Sequence, residues 1–114
     1  LHMKEIKAIV RPHRLDTVLN ALHARPELPG VTVSNVRGFG RAVGRAESED
    51  APVRFGTAEM VKLECVVNDL DIDTVIDLIQ QAGHTGNAGD GKIFVYDVEM
   101  AVKIRTGARL ARLE

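Results

Sequence analysis

The chain has 114 residues, the size of one small domain with a modest hydrophobic core. Its 15 Lys and Arg residues nearly balance 16 Asp and Glu residues, so the formal net charge is −1. This balance excludes a general attraction to nucleic acid or to an anionic membrane surface. One Tyr and no Trp argue against base stacking. We therefore expect no nucleic-acid partner.

Two features of the sequence bear on the cellular compartment: the single cysteine and the lack of a recognisable secretory signal. Cys65 alone can form neither an internal disulfide nor a cysteine-based zinc site, and its alternating apolar neighbours predict a buried, unreactive thiol. Leu1 and His2 precede Met3 and are interpreted as a cloning remnant, which leaves a single domain over 3–114. With no secretory signal and no apolar run long enough for a bilayer, we expect a cytoplasmic protein without direct membrane insertion.

The first third of the chain follows a strand, helix, strand order. Lys4–Arg11 alternates in polarity, which predicts a strand, and Pro12 ends it because proline has no N–H to donate. Apolar residues then recur at helical spacing from Leu15 to Leu22. The β-branched run Val31–Val36 predicts a second strand.

The segment Gly38–Pro52 has neither a helical nor a strand period. It mixes glycines, charges and a proline, so it cannot bury one face. Loops of this length are uncommon inside compact domains and are usually functional or disordered. The strand pattern returns near Thr57.

The second half repeats the order of the first. Ala58–Val67 predicts a strand and Ile72–Ile79 a helix, followed by a glycine-rich loop. Even-numbered apolar residues from Phe94 to Ile104 predict one long last strand. The order β-α-β, long loop, β-α-β predicts a ferredoxin-like α+β fold with both helices on one side of an antiparallel sheet. Because two helices cover one face only, we expect oligomerisation through the sheet or its edges.

The glycine-rich segment Thr85–Lys92 is the sharpest motif. Its three glycines allow backbone N–H groups to converge on an anion, and Lys92 adds a positive charge suited to phosphate. A tight turn leading into the last strand explains the same spacing equally well. The motif is not a Walker A sequence, because Ile93 follows the lysine.

Two further segments carry candidate phosphate contacts. The run Gly38–Arg41 allows close backbone approach to a ligand and also suits a loop hinge. Lys103 and Arg105 share one face of the predicted last strand, where solvation alone would explain them. We find no histidine spacing typical of a metal site and no Ser-His-Asp or Cys-His arrangement, so we assign no catalytic and no metal residues.

Four segments together resemble the PII nitrogen-regulatory proteins: Met3–Pro12, Val36–Arg41, Thr85–Val95 and Ile104–Gly107. The resemblance runs from Met3 to about Gly107. Its most specific part is Gly-Asp-Gly-Lys-Ile-Phe together with Arg-Thr-Gly. It implies a ferredoxin-like βαββαβ subunit with a long T-loop (Gly38–Pro52), assembled as a trimer. It also implies that ADP or ATP binds in clefts between subunits. For this chain we expect ADP, ATP or AMP, and whether Mg²⁺ accompanies the nucleotide stays open.

The resemblance also implies the residues of the site, carried over by position. It implies that Thr32 and Val66 lie near the adenine. At the base of the T-loop it implies a cleft lining of Gly38, Phe39, Gly40 and Arg41. In the B-loop (Thr85–Lys92) it implies phosphate contacts from Gly89, Asp90, Gly91 and Lys92. It implies that Lys103 and Arg105 of the neighbouring subunit contact the phosphates.

Several positions depart from the family pattern. Ala42 stands where a glutamine helps to hold Mg²⁺ and 2-oxoglutarate, and Met60 stands where a lysine supports the same ligand. Asn87 replaces the first B-loop lysine, and Lys103 replaces the first arginine of the C-loop. The only tyrosine, Tyr96, lies outside the T-loop, so tyrosine uridylylation is not available there. We therefore expect a divergent PII-like member in which 2-oxoglutarate binding is lost or altered.

The predicted function is signal transduction without catalysis and without a prosthetic group. Adenine nucleotide binding biases the T-loop, which docks on a protein target such as a membrane transporter or a metabolic enzyme. Some divergent PII-like proteins are associated with metal-efflux or bicarbonate transport. Two alternatives stay open: a trimeric metal-tolerance or structural protein of related fold, and a weak phosphoryl-transfer enzyme.

Overall fold

The computed structural model describes residues 2–39 and 57–112, which form a four-stranded antiparallel sheet, two helices and a small hairpin. The main elements are β1 (Met3–Val10), α1 (Leu15–His23), β2 (Thr32–Gly38), β3 (Ala58–Asn68), α2 (Ile72–Gly83) and β4 (Gly91–Val98). Single 3₁₀ turns at Pro12–Arg14 and Asp69–Asp71 lead into the two helices. The hairpin consists of β5 (Ala101–Val102) and β6 (Arg109–Leu110).

The sheet has the strand order β2-β3-β1-β4, with every neighbouring pair antiparallel. This arrangement confirms the predicted ferredoxin-like α+β fold. Val10, the last residue of β1, pairs with Val61 on one side and Gly91 on the other. Beyond that row, Gly38 pairs with Ala58. The base of the T-loop and the start of β4 therefore lie at the same end of the sheet.

The core lies between one face of the sheet and the apolar sides of α1 and α2. Alternate residues of β1 and β3 point into it, and the buried set is Ile6, Ala8, Val10, Val18, Leu22, Val61, Leu63, Cys65, Val67, Val75, Ile79 and Ala82. Cys65 is 8% exposed, as predicted, and burial raises the pKa of its thiol. A protonated, buried thiol is a packing group rather than a nucleophile.

The prediction of one long last strand is wrong. β4 ends at Val98, which pairs with Met3, the first residue of β1. Next to Met3, the backbone N–H and oxygen of His2 both bond to Asp69, and the chain after Val98 leaves the sheet. It then pairs with itself, Ala101 with Leu110, around a turn in which Gly107 has a φ of 74°.

No helix in the described ranges 2–39 and 57–112 covers the second face of the sheet, which we call the helix-free face. Phe94 and Tyr96 lie on this face, 43% and 46% exposed, and Lys7 Nζ lies 5.0 Å from the centroid of the Tyr96 ring. The hairpin adds further exposed apolar side chains, Met100, Val102 and Ile104. A chain of this size rarely leaves so much apolar surface in water without a partner.

One glycine fixes how closely β4 approaches β1. A Cβ on Gly91 would lie 1.7 Å from the carbonyl oxygen of Ile9, and its φ is 106°. No side chain fits without moving the backbone of one of the two strands. The junction between the B-loop and β4 therefore requires glycine.

We expect Gly91→Ala to lower the free energy of unfolding by at least about 2 kcal/mol, because it combines strained φ with a backbone clash. Denaturant unfolding at one fixed protein concentration measures the change. Gly30→Ala is the matched control, since a Cβ there meets nothing within 4 Å and its φ is not positive. Equal stabilities of the two variants would contradict the proposed close approach.

Candidate functional site

The B-loop joins the end of α2 to the start of β4. It contains three glycines with positive φ: Gly86 at 88°, Gly89 at 95° and Gly91 at 106°. A Cβ on Gly89 would lie 3.2 Å from Nη2 of Arg11, so the loop passes close to that guanidinium. Among the described residues, no hydrogen bond is donated by the backbone N–H of Ala88 or Gly89.

Asp90 organises the loop from inside. Its Oδ2 accepts hydrogen bonds from the backbone N–H groups of Thr85 at 2.8 Å and Gly86 at 2.9 Å. Its Oδ1 accepts from the Thr85 hydroxyl and from Arg11 Nε, the latter at 2.9 Å. The Thr85 hydroxyl in turn accepts from the N–H of Asn87 at 3.2 Å. Both oxygens of the carboxylate are therefore engaged within the protein.

The same contacts act on the charge of Asp90. Hydrogen bonds from the Thr85 hydroxyl and backbone N–H, from Arg11 and from Gly86 hold the pKa of Asp90 well below its usual range. The carboxylate is thus ionised at every pH near neutrality. Within the loop it acts as a hydrogen-bond acceptor that stays charged.

Two arginines at the end of β1 attach the loop to the rest of the fold. Arg11 donates through Nη2 to the carbonyl oxygen of Ala88 at 2.6 Å, in addition to its bond to Asp90. Arg14 donates through Nε to the carbonyl oxygen of Ala82 at 2.8 Å, in the last turn of α2. The charge of Arg14 also complements the negative end of the α2 dipole. The loop and the end of the helix before it are therefore held from one short segment.

Sequence reasoning did not place Arg11 among the candidate site residues. Its partner Asp90 is 79 residues away, and no spacing rule connects the two positions. The sequence nevertheless held a signal. Arg11 lies at the end of one strand and Asp90 at the start of another, and residues in such positions meet when the two strands are antiparallel neighbours. The register that pairs Val10 with Gly91 places Arg11 beside Asp90.

A small groove of about 160 Å³ borders the loop. Its walls come from β1, the end of α2 and the start of β4, and include Ile9, Val10, Ile79, Gly83, Asp90 and Lys92. Lys92 is exposed, with its neighbours Gly91 and Ile93 on the opposite side of the strand. The groove combines an apolar floor with a cation at its rim.

The base of the T-loop lies at the same end of the sheet. Gly38 ends β2 and Phe39 is 59% exposed, whereas the predicted contacts Gly40 and Arg41 lie outside the described residues. A second groove, of about 310 Å³, lies here between Pro12, Val36, Arg37, Glu59 and Met60. Because β2 and β4 are opposite edges, three strand spacings of about 4.8 Å separate them by about 14 Å.

The two residues predicted near the adenine lie on the helix-free face. Thr32 begins β2 and pairs with Glu64, and Val66 follows two positions along β3 on the same face. Six residues of strand place Thr32 about 20 Å from Gly38. The structure thus brings Thr32 and Val66 close to one another and away from the T-loop base.

Lys103 and Arg105 lie in the turn between β5 and β6, so the prediction that they sit on a strand is wrong. The turn is closed by hydrogen bonds from the Lys103 N–H to the Ala108 oxygen at 2.9 Å and from the Gly107 N–H to the Lys103 oxygen at 2.7 Å. Neither cation lines the groove beside the B-loop. Their approach to the phosphates from a neighbouring subunit stays a prediction.

Two kinds of feature are absent from the described ranges 2–39 and 57–112. No group of three or more His, Cys, Asp or Glu side chains there is arranged to hold a metal ion. No helix within these ranges is long and apolar enough to cross a membrane.

Comparison with known proteins gives consistent results. The family model described as nitrogen regulatory protein P-II matches residues 3–108. The chain is 46% identical over 108 residues to nitrogen regulatory protein P-II of Rhodospirillum rubrum, covering 94% of this chain and 96% of that protein. It is 47% identical over 108 residues to nitrogen regulatory protein P-II 2 of Methanothermobacter thermautotrophicus, covering 94% and 93%.

A solved structure supports the same relationship. The crystal structure of Arabidopsis thaliana PII bound to citrate matches with a TM-score of 0.76 and 38% sequence identity, covering 95% of this chain and 88% of that one. The resemblance seen in the sequence and the ferredoxin-like fold are thereby confirmed. The chain belongs to the nitrogen regulatory protein P-II family, a family of regulatory proteins rather than enzymes.

Proposed function

We propose that this chain is a nucleotide-responsive regulator that binds ADP or ATP through the B-loop and signals to a protein partner through the T-loop. The observation that carries the proposal is the arrangement of the B-loop itself. Gly89 and Gly91 hold positive φ, the N–H groups of Ala88 and Gly89 have no partner within the described residues, and Lys92 stands exposed beside them. Such a turn of amides next to a lysine suits a phosphate group.

The internal use of Asp90 supports this assignment. A carboxylate in an anion-binding loop would repel phosphate if its charge were open to the ligand. Here Thr85, Gly86 and Arg11 surround it, so the negative charge is balanced inside the protein. The net charge that the loop presents is then set by Lys92.

The citrate-bound relative adds a second line of support. Arabidopsis thaliana PII, 38% identical, is described bound to citrate, a small organic anion. A fold that accommodates one compact polyanion is a reasonable host for another. We assign the phosphates of a nucleotide to the B-loop because it contains both the N–H groups of Ala88 and Gly89 and the exposed Lys92.

We further propose that the working unit is a homotrimer. Within one chain the B-loop and the T-loop base lie on opposite edges, and the Lys103 turn lies outside the B-loop groove. Association through the helix-free face would cover Phe94 and Tyr96 and bring the hairpin of one subunit towards another. The predicted cations Lys103 and Arg105 then reach the phosphates from the neighbour.

The proposed output is a change in the T-loop. Its first residues follow directly from β2, and the groove at its base includes Pro12, which follows Arg11. Phosphate bound at the B-loop shifts the loop between conformations that differ in affinity for the partner. The partner class proposed is a membrane transporter or a metabolic enzyme.

We expect the wild type to bind ATP and ADP in titration calorimetry, and Lys92→Ala to weaken ATP binding about 10-fold, since it removes a charge-assisted contact to phosphate. Lys4→Ala is the matched control, because Lys4 is a lysine on the sheet that pairs with Asp97 at the opposite end. No binding by the wild type at millimolar nucleotide would overturn the proposed function.

The same titration tests whether 2-oxoglutarate binds. With Ala42 and Met60 in place of the family's glutamine and lysine, 2-oxoglutarate should add no strong heat in the presence of Mg-ATP. Strong Mg-ATP-dependent binding of 2-oxoglutarate would show that other residues replace the missing ligands.

Light scattering after gel filtration should give a mass of three times 12.4 kDa for the wild type, and Phe94→Asp should release smaller species. The aspartate would be buried without a partner in the trimer, whereas in a free subunit it lies opposite Lys7. Leu70→Asp, at an exposed position before α2, should leave the mass unchanged. A trimeric Phe94→Asp variant would argue for a different interface.

Removal of Ala42–Pro52 should abolish co-purification of the partner and leave ATP and ADP affinity unchanged, because the contacts that shape the B-loop within the described residues come from Arg11 and from the loop itself. Affinity purification with and without ADP, followed by calorimetry on the deleted form, measures both properties. Loss of nucleotide binding together with partner binding would place the T-loop inside the nucleotide site.

A further inference from the structure

We propose that Arg11 is the positioning residue of the B-loop: its guanidinium holds the loop in the phosphate-binding shape and cancels the charge of Asp90. The inference rests on the proposed nucleotide site. It assigns a role to a residue that need not touch the ligand. It also predicts that substitution of Arg11 weakens phosphate binding less when the charge of Asp90 is removed as well.

The geometry gives Arg11 two different contacts with one loop. Nε donates to Asp90 Oδ1 at 2.9 Å, and Nη2 donates to the Ala88 oxygen at 2.6 Å. One contact fixes a side chain and the other fixes the backbone two residues earlier. A planar guanidinium can bridge both, whereas an ammonium is a single point of attachment.

The backbone that carries Arg11 is itself well fixed. Val10 pairs with strands on both sides, and Pro12 restricts the chain immediately after Arg11. The Arg11 carbonyl accepts a hydrogen bond from the Arg14 N–H at 3.0 Å. The guanidinium therefore projects from a rigid base and can impose a position on the more exposed loop.

The path of the loop around Gly89 fits the same role. A Cβ at this position would lie 3.2 Å from Arg11 Nη2, closer than ordinary van der Waals contact. Glycine at 89 thus lets the backbone approach the guanidinium while keeping a φ of 95°. The N–H groups of Ala88 and Gly89 then lie in the segment that Arg11 holds.

The positive charge of Arg11 gives this residue a role beyond holding the loop in shape. Asp90 is the only acidic residue in the B-loop, and Arg11 is the cation that pairs with it. Both side chains are partly shielded, 28% and 23% exposed, so solvent screens their charges incompletely. Without Arg11 the carboxylate would face bound phosphate uncompensated, and the repulsion would grow with the number of phosphates.

The test compares Arg11→Ala, Asp90→Asn and the double variant by calorimetry with AMP, ADP and ATP. Arg11→Ala should weaken ATP binding at least about 10-fold, and AMP binding less, because both anchoring and charge balance are lost. The double variant should bind ATP several-fold more tightly than Arg11→Ala. A double variant that binds ATP no better than Arg11→Ala would overturn the proposed charge-cancelling role.

Three controls keep the outcomes separate. Arg25→Ala removes a more exposed arginine that also pairs with an acid, Glu27, away from the loop, and should leave ATP affinity unchanged. Arg11→Lys keeps the charge but not the two-point contact, so its ATP affinity should fall between wild type and Arg11→Ala. Thermal unfolding without ligand identifies any variant that fails to fold, in which case Arg11→Lys and Asp90→Asn decide the question.

Failure of this inference differs from failure of the proposed function. If the wild type binds no nucleotide, the proposed function itself is wrong. If the wild type binds ATP and Arg11→Ala binds it equally well, the nucleotide site stands and Arg11 has no positioning role.

Discussion

The pairing of β1 with both β3 and β4 is the constraint on which the rest of the structure depends. All eight residues of β1 have partners on both sides, so its register determines which side chains face the helices and which face away. It directs Ile6, Ala8 and Val10 into the core. It also brings the end of β1 beside the start of β4, where Gly91 accepts the closest approach of the two backbones.

That same register turns a flexible segment into a defined loop. The B-loop contains three glycines with positive φ, which alone would leave it conformationally free. Asp90 removes this freedom by accepting hydrogen bonds from Thr85 and Gly86, and β1 supplies Arg11 as the external anchor. Glycine thus provides the accessible conformations, and the ionic and hydrogen-bonded contacts select one of them. An anion-binding turn that is formed before its ligand arrives loses less entropy on binding.

The sequence was sufficient for the features that arise from local periodicity. Alternation predicted β1 and β3, helical spacing predicted α1 and α2, and their order predicted the sheet class, because burial imposes those periods on any chain. It could not show where β4 ends, since the apolar alternation continues to Ile104 while its partner strand stops at Met3. Arg11 was missed for a related reason: its bond to Asp90 depends on strand order, which periodicity does not encode.

The position of the B-loop has a thermodynamic consequence for the proposed assembly. Gly91 and Lys92 open β4, an edge strand whose helix-free side carries Phe94 and Tyr96. In the proposed assembly, a ligand held by this edge in one subunit and by Lys103 and Arg105 of another binds the associated state more tightly than a free subunit. Ligand binding would then stabilise the subunit contact, by at most about 2.7 kcal/mol at a ligand concentration 100 times the dissociation constant. By the same linkage, any change that weakens the contact must also weaken ligand binding, because both equilibria share the assembled state.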